Sequence, residues 1–291
     1  MIKYLFKAMR PKQWLKNMFI FAALVFDRKL FEIPSLARTA IAFALFCLLA
    51  SSVYLINDIM DREADKLHPV KKNRPIASGK LSIKLAVATA ILLAILAHAG
   101  AYLLNLHTFL FFLAYFLLNL AYSKWLKHIP LIDLLVIAAC FVLRVAVGVS
   151  VIEVARFSPW LYVVMTLLSL YIGLGKRRTE LLVLVPENTT SHRKVLAGYS
   201  LDLIDQLITV VSATTIMAYS LYTFSAPNLP ENHTMMLTIP FVLYGIFRYL
   251  SLMQIGKKGG EPEDLLISDR PLQITVVLWG IAVLLVFYLS K

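Results

Sequence analysis

The chain has 291 residues, 59% of them hydrophobic and 16% charged, with a mean hydropathy of +0.75 and a formal net charge of +12. This composition excludes a soluble globule and describes a polytopic, all-α membrane protein. No polar stretch between the apolar segments is long enough to build a core of its own, so residues 1–291 read as a single integral-membrane domain.

Hydropathy predicts nine spans, near 14–31, 37–56, 82–104, 108–123, 131–152, 159–175, 203–225, 236–256 and 272–290. The first is the weakest, because Asp27, Arg28 and Lys29 interrupt a short apolar run from Met18 to Phe26. With a cytoplasmic N-terminus, 22 of the 29 Lys and Arg fall on the cytoplasmic side and only five (Arg28, Lys29, Arg38, Arg156 and Lys291) outside, the bias expected of the inner membrane. Basic loops of this kind anchor to anionic lipid, and they give no reason to expect nucleic acid. The acidic residues are polarised the same way, 13 of 17 on that face, so chemistry is expected there. A removable signal peptide is not expected, since no long apolar core precedes a small-residue cleavage site. Cys47 and Cys140 lie within spans and read as small buried hydrophobes, with neither a disulfide nor a zinc site.

The end of the second span carries Asn57, Asp58, Asp61 and Asp65. Helical spacing of i, i+3 and i+7 would set the three aspartates on one face. Carboxylates so close repel one another, and at a helix C-terminus they oppose the macrodipole, so a compensating cation is required. Mg²⁺ is the natural candidate, since it takes a few carboxylates and completes its shell with water and diphosphate oxygens. The loop that follows, Lys66 to Lys80, holds Pro69, Pro75 and Gly79, which end the helix and force a turn. Arg74, fixed between Asn73 and Pro75, is its best candidate for folding back over the carboxylates or a diphosphate; His68 reads as loop.

Tyr122, Ser123 and Lys124 close the fourth span on the reactive side, where Lys124 either meets a phosphate or snorkels. Arg144 lies deep in the fifth span, where a lone cation costs at least about 2.5 kcal/mol, and is expected to face a polar cavity and a lipid phosphate. Asp133, eleven residues earlier, is about 16 Å away along the helix, which argues against pairing. Arg248 in the eighth span poses the same question. After the sixth span come Lys176, Arg177, Arg178 and Glu180. Asp202 and Asp205 open the seventh, either as charges favourable to the dipole or as a relocated acidic motif.

Asn57-Asp58-x-x-Asp61-x-x-x-Asp65 with Arg74-Pro75-Ile-x-Ser-Gly79 resembles the first signature of the UbiA superfamily of intramembrane prenyltransferases. The resemblance implies a nine-helix bundle around a polar cavity that faces the cytoplasm, with Asp58, Asp61 and Asp65 holding Mg²⁺ and Asn57 orienting a ligand. Members acting on aromatic acceptors usually carry a second acidic motif after the sixth helix, where this chain has Lys176, Arg177 and Arg178. Three cations there favour a further phosphate group over a second metal. With Arg10-Pro11-Lys12-Gln13-Trp14-Leu15-Lys16-Asn17, and with Asp264 and Asp269-Arg270-Pro271-Leu272 before the last span, the chain resembles the branch of the superfamily that moves phosphoribose.

That branch transfers 5-phosphoribose from 5-phosphoribosyl diphosphate to a polyprenyl phosphate, releasing diphosphate, on the route to the arabinose donor of a bacterial cell wall. The resemblance implies substrate-binding roles for Lys16, Asn17, Arg74, Lys124, Arg144, Lys176, Arg177, Arg178, Glu180, Asp202 and Asp205, with membrane lipid around the bundle and room for a homo-oligomer. The alternative is prenyl transfer from a prenyl diphosphate to an aromatic acceptor. The attacking group is already an anionic oxygen and no general base stands out among the six histidines, so positioning should dominate catalysis. Two related halves with broken helices, the mark of a secondary transporter, are not found.

Overall fold

The computed structural model of the protein describes residues 1–67, 70–152, 154, 158–184, 194–226, 229–254, 265 and 268–289. His68, Arg156, Arg193, Lys257, Lys258, Asp264 and Lys291, each used in the charge pattern or motifs above, lie outside the described residues, as does the side chain of Lys194. The regular secondary structure of the described residues is all helical, with no strand among them. In chain order the α-helices are α1 (Ile2–Ala8), α2 (Ala22–Phe26), α3 (Ile33–Met60), α4 (Arg62–Leu67), α5 (Ile83–Leu104), α6 (Leu106–Lys124), α7 (Ile132–Ser150), α8 (Pro159–Leu184), α9 (Leu201–Ser225), α10 (Ile239–Gln254) and α11 (Arg270–Leu289).

Eight helical segments among the described residues are long and apolar enough to cross a membrane, and they match the second to ninth predicted spans. The first predicted span takes a different form. Pro11–Phe21 is a 3₁₀ helix of 11 residues, continued by the five of α2. Runs of 3₁₀ longer than three or four residues are uncommon and mark a segment held by its surroundings.

Helix ends follow their local chemistry. Ser82 accepts a bond from the Leu85 amide at 3.3 Å to start α5, Asn105 from Thr108 at 2.8 Å to start α6, and Ser200 from Leu203 at 3.1 Å to start α9. Asn105 alone separates α5 from α6, and its amide also donates to the Ser150 carbonyl at the end of α7. Gly79 takes φ +74° in the turn after the aspartates, a conformation open to glycine.

The chain divides into two compact units. The first, residues 1–24, 29–136 and 143–153, is built on α3 packed against α5 and α6, with the 3₁₀ helix laid along α3. Gly148 of α7 makes room there, since a Cβ at that position would lie 2.0 Å from the Ile20 carbonyl oxygen. The second, residues 25–28, 137–142 and 154–291, pairs α8 with α9 and α10 with α11. Its core includes Tyr219, Tyr222, Met235 and Phe287, with the Trp279 indole donating to the Tyr219 hydroxyl at 2.8 Å.

Candidate active site

In the first unit Asp58, Asp61 and Asp65 meet Arg10, Arg74 and Lys127 at the end of α3. α3 ends at Met60, and Asp61 follows with φ −89° and ψ 3°, so the aspartates do not sit on one continuous helix as their spacing predicts. Asp58 belongs to α3, Asp65 to the short α4, and Asp61 to the break between them. Clustered carboxylates at a helix C-terminus oppose the dipole, and a break in the bridge region is a conformation often found at active sites.

Each aspartate meets a cation, and two of them share one. Asp58, 2% exposed, accepts bonds from Arg10 and, at 3.2 Å, from Arg74. Asp65, 4% exposed, accepts from the same Arg74 nitrogen at 2.7 Å. Asp61 is met by Lys127, beyond the end of α6. Asn57 accepts a bond from the Ser123 hydroxyl at 3.1 Å, which ties the rim of α3 to the end of α6. Arg74 does fold back onto the carboxylates, pairing with both Asp58 and Asp65. Arg10 and Lys127 carried no site role in the sequence reading. Each is far from the aspartates in the chain, and no helical period connects them.

Asp58 and Asp65 turn oxygens toward one shared nitrogen, a pair of hard anionic donors in the number Mg²⁺ uses when diphosphate and water supply the rest. The donor set therefore fits the ion. All three aspartates do not converge, for among the described residues no three His, Cys, Asp or Glu side chains gather into a metal-holding group.

Other predicted site residues of this unit are placed as follows. Asn17 is fully buried and Lys16 half-buried on the 3₁₀ helix. Arg144, 3% exposed, donates from Nε to Asn17 Oδ1 at 2.9 Å and from its terminal nitrogen to the Tyr115 hydroxyl at 3.1 Å. Its guanidinium also stacks on the rings of Phe46 and Tyr115. Lys124 is exposed and rests on the Trp125 ring at 4.4 Å, the snorkelling arrangement.

In the second unit, Lys176, Arg177, Arg178 and Glu180 lie within α8 rather than after a helix, because α8 runs to Leu184. Lysine, arginine and glutamate are good helix formers, so the helix outlasts its apolar run. Arg177 is 2% exposed and pairs with Glu180 one turn on. Arg178 grips both carboxylate oxygens of Asp205 at 2.7 and 3.3 Å and the Met253 carbonyl at 3.1 Å, tying α8 to α9 and α10. Beside it Gly175 lets α8 pack closely on α10, a Cβ there falling 2.3 Å from Met253 Sδ. Lys176 is half-buried, and Asp202 is exposed in the first turn of α9.

Arg248 is paired with Asp269 at 2.7 Å, while Asp269 also accepts from the Leu272 amide at 2.9 Å and so caps α11. The Arg248 hydrogen bond, helped by the Leu272 amide and opposed by desolvation, holds the Asp269 carboxyl below the usual carboxylate range. A carboxyl depressed on folding adds stability above its unfolded pKa of about 3.9, and that gain is lost as pH falls through the folded value. Asp269→Asn is therefore expected to melt below the native chain at neutral pH, with the gap closing below about pH 4 as both melting curves are followed in detergent.

Residues 18–177 match the model of the UbiA prenyltransferase family. A decaprenyl-phosphate phosphoribosyltransferase of Mycobacterium tuberculosis is 33% identical over 277 residues, 94% of this chain and 90% of that one. Its namesake from Corynebacterium glutamicum is 32% identical over 97% of this chain and 86% of its own. Among solved structures, a UbiA homologue from Archaeoglobus fulgidus bound to DMAPP and Mg²⁺ superposes with a TM-score of 0.76 at 21% identity, covering 98% of this chain and 99% of that one.

Proposed function

The chain belongs to the UbiA prenyltransferase family, and on that premise we propose that it transfers 5-phosphoribose from 5-phosphoribosyl diphosphate to a polyprenyl phosphate. The observation that carries this reading is the likeness to phosphoribosyltransferases along nearly the whole chain, in a protein whose α8 bears Lys176, Arg177 and Arg178 in place of a second acidic motif. In the reaction, an oxygen of the lipid phosphate bonds to C1 of the ribose as the C1–O bond to diphosphate breaks. The leaving diphosphate takes the electron pair, and the ribose passes through an oxocarbenium-like centre. No proton need move, which agrees with a site of carboxylates and fixed cations.

Asp58 and Asp65 would hold Mg²⁺, while Asp61, paired with Lys127, stands outside that pair. When bound, the ion supplies Lewis-acid neutralisation of the departing diphosphate. Arg74, Arg10 and Lys127, which now neutralise the carboxylates, are the cations able to turn toward diphosphate oxygens. Asn57, braced by Ser123, orients a ligand. Lys176, with Arg177 held by Glu180 and Arg178 held by Asp205, supplies phosphate-binding charge.

The same reading takes the chain as one membrane domain with nine spans, a cytoplasmic N-terminus and a cytoplasmic site in the inner membrane. The rise of the first segment supports counting it as a span, which brings the total to nine. Eleven 3₁₀ residues at about 2.0 Å and five α residues at about 1.5 Å give about 30 Å, a hydrocarbon thickness.

The direct test supplies purified protein with 5-phosphoribosyl diphosphate, Mg²⁺ and a polyprenyl phosphate, and looks for a phosphoribosylated lipid by mass spectrometry. Prenylation of an aromatic acid from a prenyl diphosphate, with no such lipid formed, would overturn the reading.

A further inference from the structure

The 3₁₀ segment meets α3 at successive levels. At one end Arg10 pairs with Asp58 and stacks on the Tyr54 ring at 5.1 Å. One step deeper, the Trp14 indole donates to the Ser51 hydroxyl at 3.0 Å, and that hydroxyl shares its one proton between the Cys47 carbonyl at 2.8 Å and the Met9 carbonyl at 3.2 Å. Deeper again, Asn17 Nδ2 contacts Cys47 Sγ at 3.2 Å. A 3₁₀ helix repeats every three residues, so Trp14, Asn17 and Ile20 share one face. At about 100° per residue, Cys47, Ser51, Tyr54 and Asp58 fall on one narrow stripe of α3. The two stripes run antiparallel and engage like a zipper, which accounts for a 3₁₀ run of this length.

Two features close the deep end. Arg144 reaches from α7 to the Asn17 side-chain oxygen Oδ1 at 2.9 Å, and Gly148, one turn further, admits the Ile20 backbone. At the shallow end Arg10 takes a left-handed backbone, φ 54° and ψ 62°, unusual for a side-chain-bearing residue and sustained only where the surroundings over-determine it.

We infer that Arg144 is a positioning residue: through Asn17 it fixes the register of the 3₁₀ segment along α3 and thereby seats Arg10 on Asp58. The kinetic part of this inference rests on the proposed transfer reaction, whereas the structural part does not. Three polar levels couple the membrane-buried Arg144 to the acidic site, so a cation that costs energy within a span is retained for the placement of another cation.

The first arm uses trypsin on the purified full-length protein in detergent, mapping cleavage after Lys12 and Lys16, which the zipper shields by holding the segment in place. Arg144→Met and Asn17→Ala are each expected to speed that cleavage by about tenfold through local opening, whereas Asn17→Asp, which keeps an acceptor for Arg144, stays near the native rate. Native-like cleavage in both Arg144→Met and Asn17→Ala overturns the latch.

The second arm is a double-mutant cycle on phosphoribosyl transfer. Asn17→Ala is expected to lower kcat about tenfold with the lipid KM little changed, and by less than about twofold when Arg10 is already alanine, the signature of residues acting as a unit. Effects that multiply in the double variant overturn the positioning role. So does an Arg144→Met protein with raised lipid KM and intact kcat, which would place Arg144 on the substrate. If the native protein makes no phosphoribosylated lipid, the proposed reaction fails, and proteolysis decides the latch by itself.

Discussion

Asp65→Asn and Asp58→Asn are each expected to lower kcat/KM for phosphoribosyl transfer by about 10³-fold, at or above the upper range seen when one preorganised electrostatic contact is removed. Both carboxylates are buried and share a nitrogen of Arg74, so neither loss is made good by water. An amide keeps the shape and one acceptor oxygen but removes the charge on which a hard divalent cation depends. The apparent requirement for Mg²⁺ should also rise by about tenfold or more, since altering a metal's ligand environment weakens binding at least that far. Measuring initial rates across a Mg²⁺ titration separates the two effects. Full activity of both variants at saturating Mg²⁺ would remove the aspartates from the reaction.

Arg74→Ala is expected to cost about 3 kcal/mol in metal-free buffer, because it breaks a largely buried ion pair and leaves two carboxylates facing each other. Arg10 remains on Asp58 and limits the damage, while Asp65 loses the cation that holds it at 2.7 Å. The revealing observation is the response to metal. A ligand that binds only the folded state stabilises in proportion to its affinity, and a site relieved of its resident guanidinium binds a cation more tightly. Thermal unfolding with and without Mg²⁺ should show a lower melting point and a larger Mg²⁺-induced rise for Arg74→Ala than for the native chain. An equal rise in both proteins would mean that Arg74 and the metal do not compete for the same carboxylates.

Apolar run length made the spans legible from the second to the ninth, since a bilayer demands about 20 apolar residues and little else in this chain supplies them. That Arg74 folds back onto Asp58 and Asp65 was legible as well, since close carboxylates call for a compensating cation and the prolines and glycine of the loop turn the chain back toward them. Lys127 and Arg10 were not. Lys127 lies 66 residues from Asp61 and Arg10 48 residues from Asp58, so only the packed fold reveals those pairings. Arg248 seemed to be an intramembrane puzzle and is answered by Asp269, a helix cap 21 residues on. The continuation of α8 through its charged motif was hidden by hydropathy, which tracks solvent preference and not backbone conformation. The 3₁₀ form of the first segment was hidden as well, since its period is set by the stripe of α3 on which it lies.

The approach of α7 to the Ile20 carbonyl leaves space for a hydrogen at position 148 and for nothing larger, a methyl group there falling 2.0 Å from the oxygen. Backbone cannot swing aside as a side chain can. Across homologues, that single codon should therefore sort the ancestry of the N-terminal routing: lineages that drop the glycine are expected to rebuild how their first segment packs against α7, and the loss should travel with changes at Trp14 and Asn17.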